Sequence, residues 1–186
     1  SYSNSINVEN NKDKNVDKKI LLIAPSVNDY QSILDVFSAW KGNKNWTVVL
    51  SPHPATKVKN IENYQRKKYP NLKIDYNTNS RTSELMKESS LIITGQSTMA
   101  VEANFHNIKA IRFVNLGSFP MFDYEEIIPV FYNGTSFMEW FKFQDWENQA
   151  VEMKNAQESI ISRYFYKIDG DSSQRMWSVL NKIDFI

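Results

Sequence analysis

The chain has 186 residues, with 22 Lys and Arg against 21 Asp and Glu, 41% apolar residues, 13% aromatics and no cysteine. That is enough for one compact domain with a proper core, while a net charge of +1 gives no support to a general electrostatic role on nucleic acid or a membrane surface. The absence of cysteine excludes a disulfide scaffold and thiolate metal sites and fits a reducing cytosol; no apolar run approaches the roughly 20 residues of a spanning helix, and the two histidines lie too far apart in sequence to suggest a metal site.

Residues 1–17 are Ser, Asn, Lys and Asp with almost no apolar content, and read as a disordered leader or linker. They lack the apolar core of a signal peptide. Because the chain begins with Ser rather than Met, it is expected to be a processed or excised piece of something longer. Residues 18–186 are expected to form a single domain.

Lys18 to Val27, KKILLIAPSV, is a continuous apolar run that ends at Pro25 and Ser26. It reads as a strand buried on both faces, as in a parallel sheet. Asn28 or Asp29 can cap a helix from Tyr30 to about Trp40, whose Ile33, Leu34, Phe37 and Trp40 recur at helical spacing. Gly42 and Asn43 stop it. Trp46 to Leu50 is a second strand, and Thr56 to Tyr69 a polar surface helix ended by Pro70. Leu72 to Tyr76 reads as a third strand, Asn77 to Ser80 as a loop and Arg81 to Glu88 as a short helix. Leu91 to Thr94 is the fourth strand, Ser97 to His106 the next helix and Lys109 to Val114 the fifth strand.

Leu116 to Glu126 is irregular, with Gly117, Pro120 and several aromatics. Ile127 to Phe131 can be a sixth strand, and Pro129 favours the edge of a sheet over its centre. Ser136 to Phe143 reads as helical, Asp145 to Tyr166 as a long helix, and Asp169 to Ile183 as a last helix opened by the turn Asp169-Gly170. Phe137, Trp140, Phe141, Phe143 and Trp146 sit at helical spacing and are expected in the core or at an interface. This alternation predicts an α/β fold: a Rossmann-like, doubly wound parallel sheet of five or six strands with C-terminal helices.

Two strand ends carry the functional reading. Thr47 to Pro54, TVVLSPHP, and Leu91 to Phe105, LIITGQSTMAVEANF, each end an apolar run abruptly in small or polar residues. In an open α/β sheet ligands bind at the carboxyl ends of the strands, and helix N-termini there offer free N–H groups to phosphate. Ser51, Pro52 and His53 would form one such edge, and Gly95, Gln96, Ser97 and Thr98 another. His53, held between two prolines, can donate to a phosphate or be an exposed loop residue that bonds backbone. Ser97 can cap its helix, bind phosphate, or do both. The string is neither a Walker loop nor a G-x-G-x-x-G fingerprint.

Further out, Glu102 either accepts from ribose hydroxyls or is a half-exposed helix position. Asn77, Thr78 and Asn79 can hold a base or sugar, or simply turn the chain. His106 suits the C-terminal end of its helix.

TVVLSPHP resembles the His-Pro motif of bacterial polysialyltransferases and related capsule polysaccharide transferases. LIITGQSTMAVEA resembles their Ser-Ser/Thr motif with its acid-bearing helix, and RYFYKIDGDSSQRM is similar to the tail of capsule-export-type and glycerophosphotransferase-like enzymes. Together these cover most of residues 18–182 and match the C-terminal, donor-binding half of a GT-B glycosyltransferase. One departure is Gln96, where a second serine is common.

The resemblance implies a nucleotide-sugar donor as substrate rather than cofactor, usually CMP-linked but UDP- or CDP-linked in relatives. With His53 and the 97–98 hydroxyls stabilising the departing phosphate, transfer is expected to need no protein-bound metal. It makes His53 the catalytic group that stabilises the departing phosphate. Ser51, His53, Gly95, Gln96, Ser97 and Thr98 would form the donor phosphate site, with Glu102, Thr78 and Asn79 at the ribose or base. It also implies a glycan acceptor and a missing N-terminal acceptor domain or partner chain that supplies the base. The isolated chain is then expected to be inactive and the location cytoplasmic, including the inner membrane face. The alternatives are a nucleotide-binding or assembly module without catalysis, and a GT-B-like nucleotide-sugar epimerase.

Overall fold

The computed structural model describes residues 18–114, 127–148, 150–164 and 169–180. Among the described residues, six strands form one parallel sheet: β1 (Lys19–Ala24), β2 (Trp46–Leu50), β3 (Asp75–Tyr76), β4 (Leu91–Thr94), β5 (Lys109–Phe113) and β6 (Val130–Phe131), in the order β3-β2-β1-β4-β5-β6. The helices are α1 (Tyr30–Phe37), α2 (Val58–Lys68), α3 (Thr82–Glu88), α4 (Met99–Phe105), α5 (Gly134–Lys142), α6 (Ala150–Tyr164) and α7 (Ser172–Leu180). The fold is the Rossmann-like α/β architecture expected from the alternation.

Strand alternation divides the core in two. On β1, Leu21 and Ile23 face one helical layer with Ile33, Leu34 and Phe37 of α1 and Phe137 and Phe141 of α5. Leu22 and Ala24 face the other, with Met86 of α3, Ala100 and Ala103 of α4 and Ile160 of α6. Successive side chains on a strand point to opposite faces. A strand flanked on both sides and covered on both faces must therefore be apolar throughout. Each fully buried Leu, Ile or Phe is worth about 1.5–3 kcal/mol of transfer free energy.

Several boundaries differ from the sequence reading. Helix α1 stops at Phe37 because Trp40 turns into the core, its N–H on the Phe37 carbonyl at 2.9 Å, stacking on Phe37 with ring centroids 5.6 Å apart. Strand β3 is two residues long. Leu72 is not part of it, because its carbonyl accepts the Gln65 side-chain N–H at 2.9 Å, which ties it to α2 instead. Helix α6 begins at Ala150 rather than Asp145. The Asp145 carboxylate accepts the N–H groups of Glu147 and Asn148, a local turn that competes with helix.

Strand β6 is shorter than the expected Ile127–Phe131, covering only Val130–Phe131, and lies at the sheet edge directly after Pro129, the position that proline favours. Phe137, Trp140, Phe141 and Trp146 join the aromatic core, whereas Phe143, at the end of α5, is 86% exposed. The leader 1–17 and the irregular segment 116–126 lie outside the described residues, as do residues 165–168 of the tail motif and 181–183 of the last helix.

Candidate functional site

Because all six strands run parallel, the chain segments that leave their carboxyl ends share one edge of the sheet. There, Ala24 at the end of β1 with Pro25 and Ser26 beyond it, Ser51 to Pro54 after β2, Gln96 to Met99 after β4, and Thr82 of α3 line one cavity of about 330 Å³. His53, Ser97 and Thr98, far apart in sequence, line the same hollow.

The side chains are held differently. His53 is exposed, and its Nδ1 accepts the Ala55 N–H at 3.1 Å. That bond sets the neutral ring's proton on Nε2, which makes no hydrogen bond among the described residues. Ser51 is buried; its hydroxyl lies 2.7 Å from that of Thr82 and accepts the Asn77 side-chain N–H at 3.0 Å. The Ser97 hydroxyl accepts the Met99 N–H at 3.2 Å, a local cap at the start of α4. The Thr98 side chain is exposed and its hydroxyl is unengaged among the described residues.

Gly95 makes a close approach, to Asp29. A Cβ at position 95 would lie 2.1 Å from the Asp29 Oδ2. The Gln96 N–H donates to that same carboxylate at 3.0 Å and is thereby committed within the protein. Asp29 stands at the N-cap position of α1 but makes no side-chain cap bond there. Its other oxygen takes the Ser26 N–H at 2.7 Å. On the far side of the loop, the fully buried Arg112 of β5 donates its Nε–H to the Gly95 carbonyl at 3.1 Å.

Glu102, Thr78 and Asn79 are exposed and do not line this cavity. Thr78 and Asn79 bond each other, and the Asn79 N–H bonds Asn77, the pattern of a turn. His106 is exposed at the end of α4. Sequence reasoning missed Thr82, Arg112 and the destination of Asp29. An arginine inside the apolar run KAIRFV was the one local signal for Arg112.

A larger hollow of about 890 Å³ lies at the opposite edge of the sheet, by the strand starts at Lys19 and Trp46, and holds none of the expected residues. The strand-end chemistry makes the smaller cavity the candidate site. Among the described residues, no group of three or more His, Asp or Glu stands together as a metal cluster. No described helix is long and apolar enough to cross a membrane.

No family model and no curated protein matches the chain. Solved structures do. The S. aureus MnaA–UDP co-structure superposes with a TM-score of 0.59 at 17% identity, covering 95% of this chain and 51% of that one. The UDP-GlcNAc 2-epimerase from Neisseria meningitidis bound to UDP-GlcNAc superposes at 0.56 with 14% identity, over 89% of this chain and 45% of that one. The fold is GT-B-like. A variant of the wall teichoic acid polymerase TagF soaked with CDPG matches the same GT-B-like domain at a TM-score of 0.53 and 16% identity, over 89% of this chain and 41% of that one. The GT-B-like domain thus spans about half the length of the structures it matches.

Proposed function

We propose that this chain is the nucleotide-sugar-binding half of a two-domain glycosyltransferase that extends a surface glycan. The observation that carries the reading is the meeting of His53, Ser97 and Thr98 in one cavity at the carboxyl edge of a GT-B-like sheet. The order of the two motifs along the chain, with their resemblance to capsule polysaccharide transferases, supports transfer.

In this reading the donor phosphate enters the cavity between the two loops. His53 Nε2–H and the Thr98 hydroxyl donate to it, and Ser97 shapes the turn. As the sugar–phosphate bond breaks, the departing phosphate gains negative charge that these donors stabilise. The loss of one such donor typically costs about 10²–10³ in rate. The acceptor hydroxyl and its base belong to the other half. The ribose and base lie further along the edge, towards Glu102 or towards Thr78 and Asn79. The resemblance favours a CMP-linked donor, whereas the structural relatives are seen with UDP, UDP-GlcNAc and CDPG. A cytoplasmic site at the inner membrane face suits an enzyme that uses such donors.

The test is a thermal-shift and calorimetric series with CMP, CDP, UDP and GDP. A nucleotide at 100 times its dissociation constant should add about 2.7 kcal/mol of stability. His53→Ala and Thr98→Val should each weaken binding about ten-fold, since a hydrogen bond to a charged group is worth roughly 1.5–3 kcal/mol. No shift with any of the four would remove the reading. A second reading, a nucleotide-sugar epimerase of the same two-domain build, is favoured by the epimerases among the structural neighbours. Incubating the full-length product with a nucleotide sugar alone separates the two: an epimerase converts the sugar without an acceptor. Binding without either reaction would mark a nucleotide-binding or assembly module.

A further inference from the structure

The peptide that joins Gly95 to Gln96 is held at its two poles by opposite charges. Its carbonyl oxygen accepts the Arg112 Nε–H at 3.1 Å, and its N–H donates to the Asp29 carboxylate at 3.0 Å. Each charge meets the pole of the peptide dipole that attracts it. A flipped peptide would turn its carbonyl towards the carboxylate and its N–H towards the guanidinium, so both contacts would become repulsive. The flip is therefore opposed twice.

The two side chains arrive from different strands. Arg112 rises from β5, fully buried. Asp29 follows β1 and also takes the Ser26 N–H at 2.7 Å, so one carboxylate ties the end of β1 to the end of β4. Asp29 stands where a capping residue belongs, yet its carboxylate bonds the loop rather than the first turn of α1. Position 95 is glycine where a Cβ would sit 2.1 Å from Oδ2 and 2.5 Å from Cγ of Asp29. Neither Asp29 nor Arg112 lines the cavity, whereas Ser26, Gln96, Ser97 and Thr98, which they hold or adjoin, do.

We propose that Asp29 and Arg112 are positioning residues: they lock the Gly95–Gln96 peptide in one orientation and so aim the Ser97–Thr98 turn into the cavity before a nucleotide phosphate arrives. The inference rests on the proposed nucleotide-binding reading and deepens it. A turn fixed in advance binds without the cost of ordering, and donors held by charged neighbours need no reorganisation as charge develops. If release of the peptide leaves about one tenth of the molecules competent, apparent affinity falls about ten-fold.

The experiment uses the 186-residue chain with CMP, CDP, UDP and GDP as probes. Asp29→Asn keeps the shape of the side chain and removes its charge. Gly95→Ala keeps the charge and displaces the peptide. For each variant, melting temperature, amide hydrogen exchange at Gln96 and nucleotide affinity are measured well below the melting transition. The expected result is faster exchange at Gln96 and about ten-fold weaker binding in a chain that still melts cooperatively. A role confined to stability would lower the melting temperature and leave affinity unchanged. Unchanged affinity in whichever variants fold, beside a wild-type chain that binds, overturns the positioning role and leaves the nucleotide site standing. A wild-type chain that binds none of the four overturns both, and is told apart by the wild-type measurement alone. Should Asp29→Asn fail to fold, Gly95→Ala decides the matter, and failure of both to fold assigns the pair to stability and overturns the proposal.

Discussion

The hydroxyls of Ser51 and Thr82 lie 2.7 Å apart, joining the end of β2 to the first turn of α3 across 31 residues of chain. Ser51 is 3% exposed and also accepts the Asn77 side chain. Its hydroxyl is thus engaged within the protein before any ligand arrives. Ser51→Ala is expected to cost about 1–2 kcal/mol in urea unfolding, because Asn77 and Thr82 lose a partner. It should change nucleotide affinity less than Thr98→Val does. A larger affinity loss at Ser51 would move the phosphate contact from the β4 loop to the β2 end.

Gly134, the first residue of α5, packs closely against the end of α1 and the turn that follows it. A Cβ there would lie 2.3 Å from the Ala39 Cβ and 2.6 Å from the Val36 carbonyl oxygen. Helix propensity alone would favour alanine by about 1 kcal/mol. Sterics should win, because the obstructing atoms are backbone and a short side chain that cannot swing away. Gly134→Ala is expected to destabilise by about 1–3 kcal/mol by chemical denaturation.

Asp35 accepts the hydroxyls of Tyr64 and Tyr69, each at 2.7 Å, and the Lys68 ammonium at 2.9 Å. Burial by itself would raise the carboxyl's pKa, but the bonds from Tyr64, Tyr69 and Lys68 outweigh it and hold the group below its ordinary 3.8. A depressed carboxyl pKa contributes stability that is present above the unfolded-state value and lost as pH falls through the folded one. Stability measured down through and below pH 3.8 should therefore fall less steeply in Asp35→Asn than in the wild type.

Tyr76 gives the opposite limb. Burial, with a smaller push from Glu62, raises its phenol to about 12 against the opposing pull of Arg66. Its buried hydroxyl has no hydrogen-bond partner among the described residues. A raised pKa contributes stability present below the ordinary value of 10.0 and lost as pH climbs towards about 12. Tyr76→Phe should reduce that alkaline loss, with Tyr64 and Tyr69, also raised by burial, accounting for the remainder. At neutral pH the substitution should be neutral or stabilising by about 1 kcal/mol, since an unsatisfied buried donor is removed.

The isolated chain is expected to bind nucleotide without efficient sugar transfer. In the proposed two-domain reading the acceptor is positioned by the other half, and without it positioning worth effective molarities of about 10⁵ M or more is forfeited. Met176, Trp177 and Val179 on α7 are 60%, 64% and 57% exposed, an apolar patch that favours association. Sedimentation should show concentration-dependent self-association, suppressed in Met176→Lys/Trp177→Lys. Efficient turnover by the isolated chain would show its active site to be complete.

Local pattern settled much of this molecule. The apolar run of β1, the alternating β2 and the short β4 were readable because a strand's burial is written in its own residues, and Trp46–Leu50 and Leu91–Thr94 emerged with the expected bounds. The carboxyl-edge residues His53, Ser97 and Thr98 were legible because parallel strands must place their exits on one side. What the tertiary structure alone decided was which partner each polar group chose. Asp29 was legible as a cap, yet its carboxylate bonds Gln96, 67 residues away. Leu72 was legible as strand, yet Gln65 claims its carbonyl. Arg112 was visible only as an oddity in an apolar strand until the Gly95 carbonyl appeared beside it. Periodicity records which face of an element is dry; it carries no record of which distant donor will stand within 3 Å of an acceptor, because that depends on how the elements are brought together.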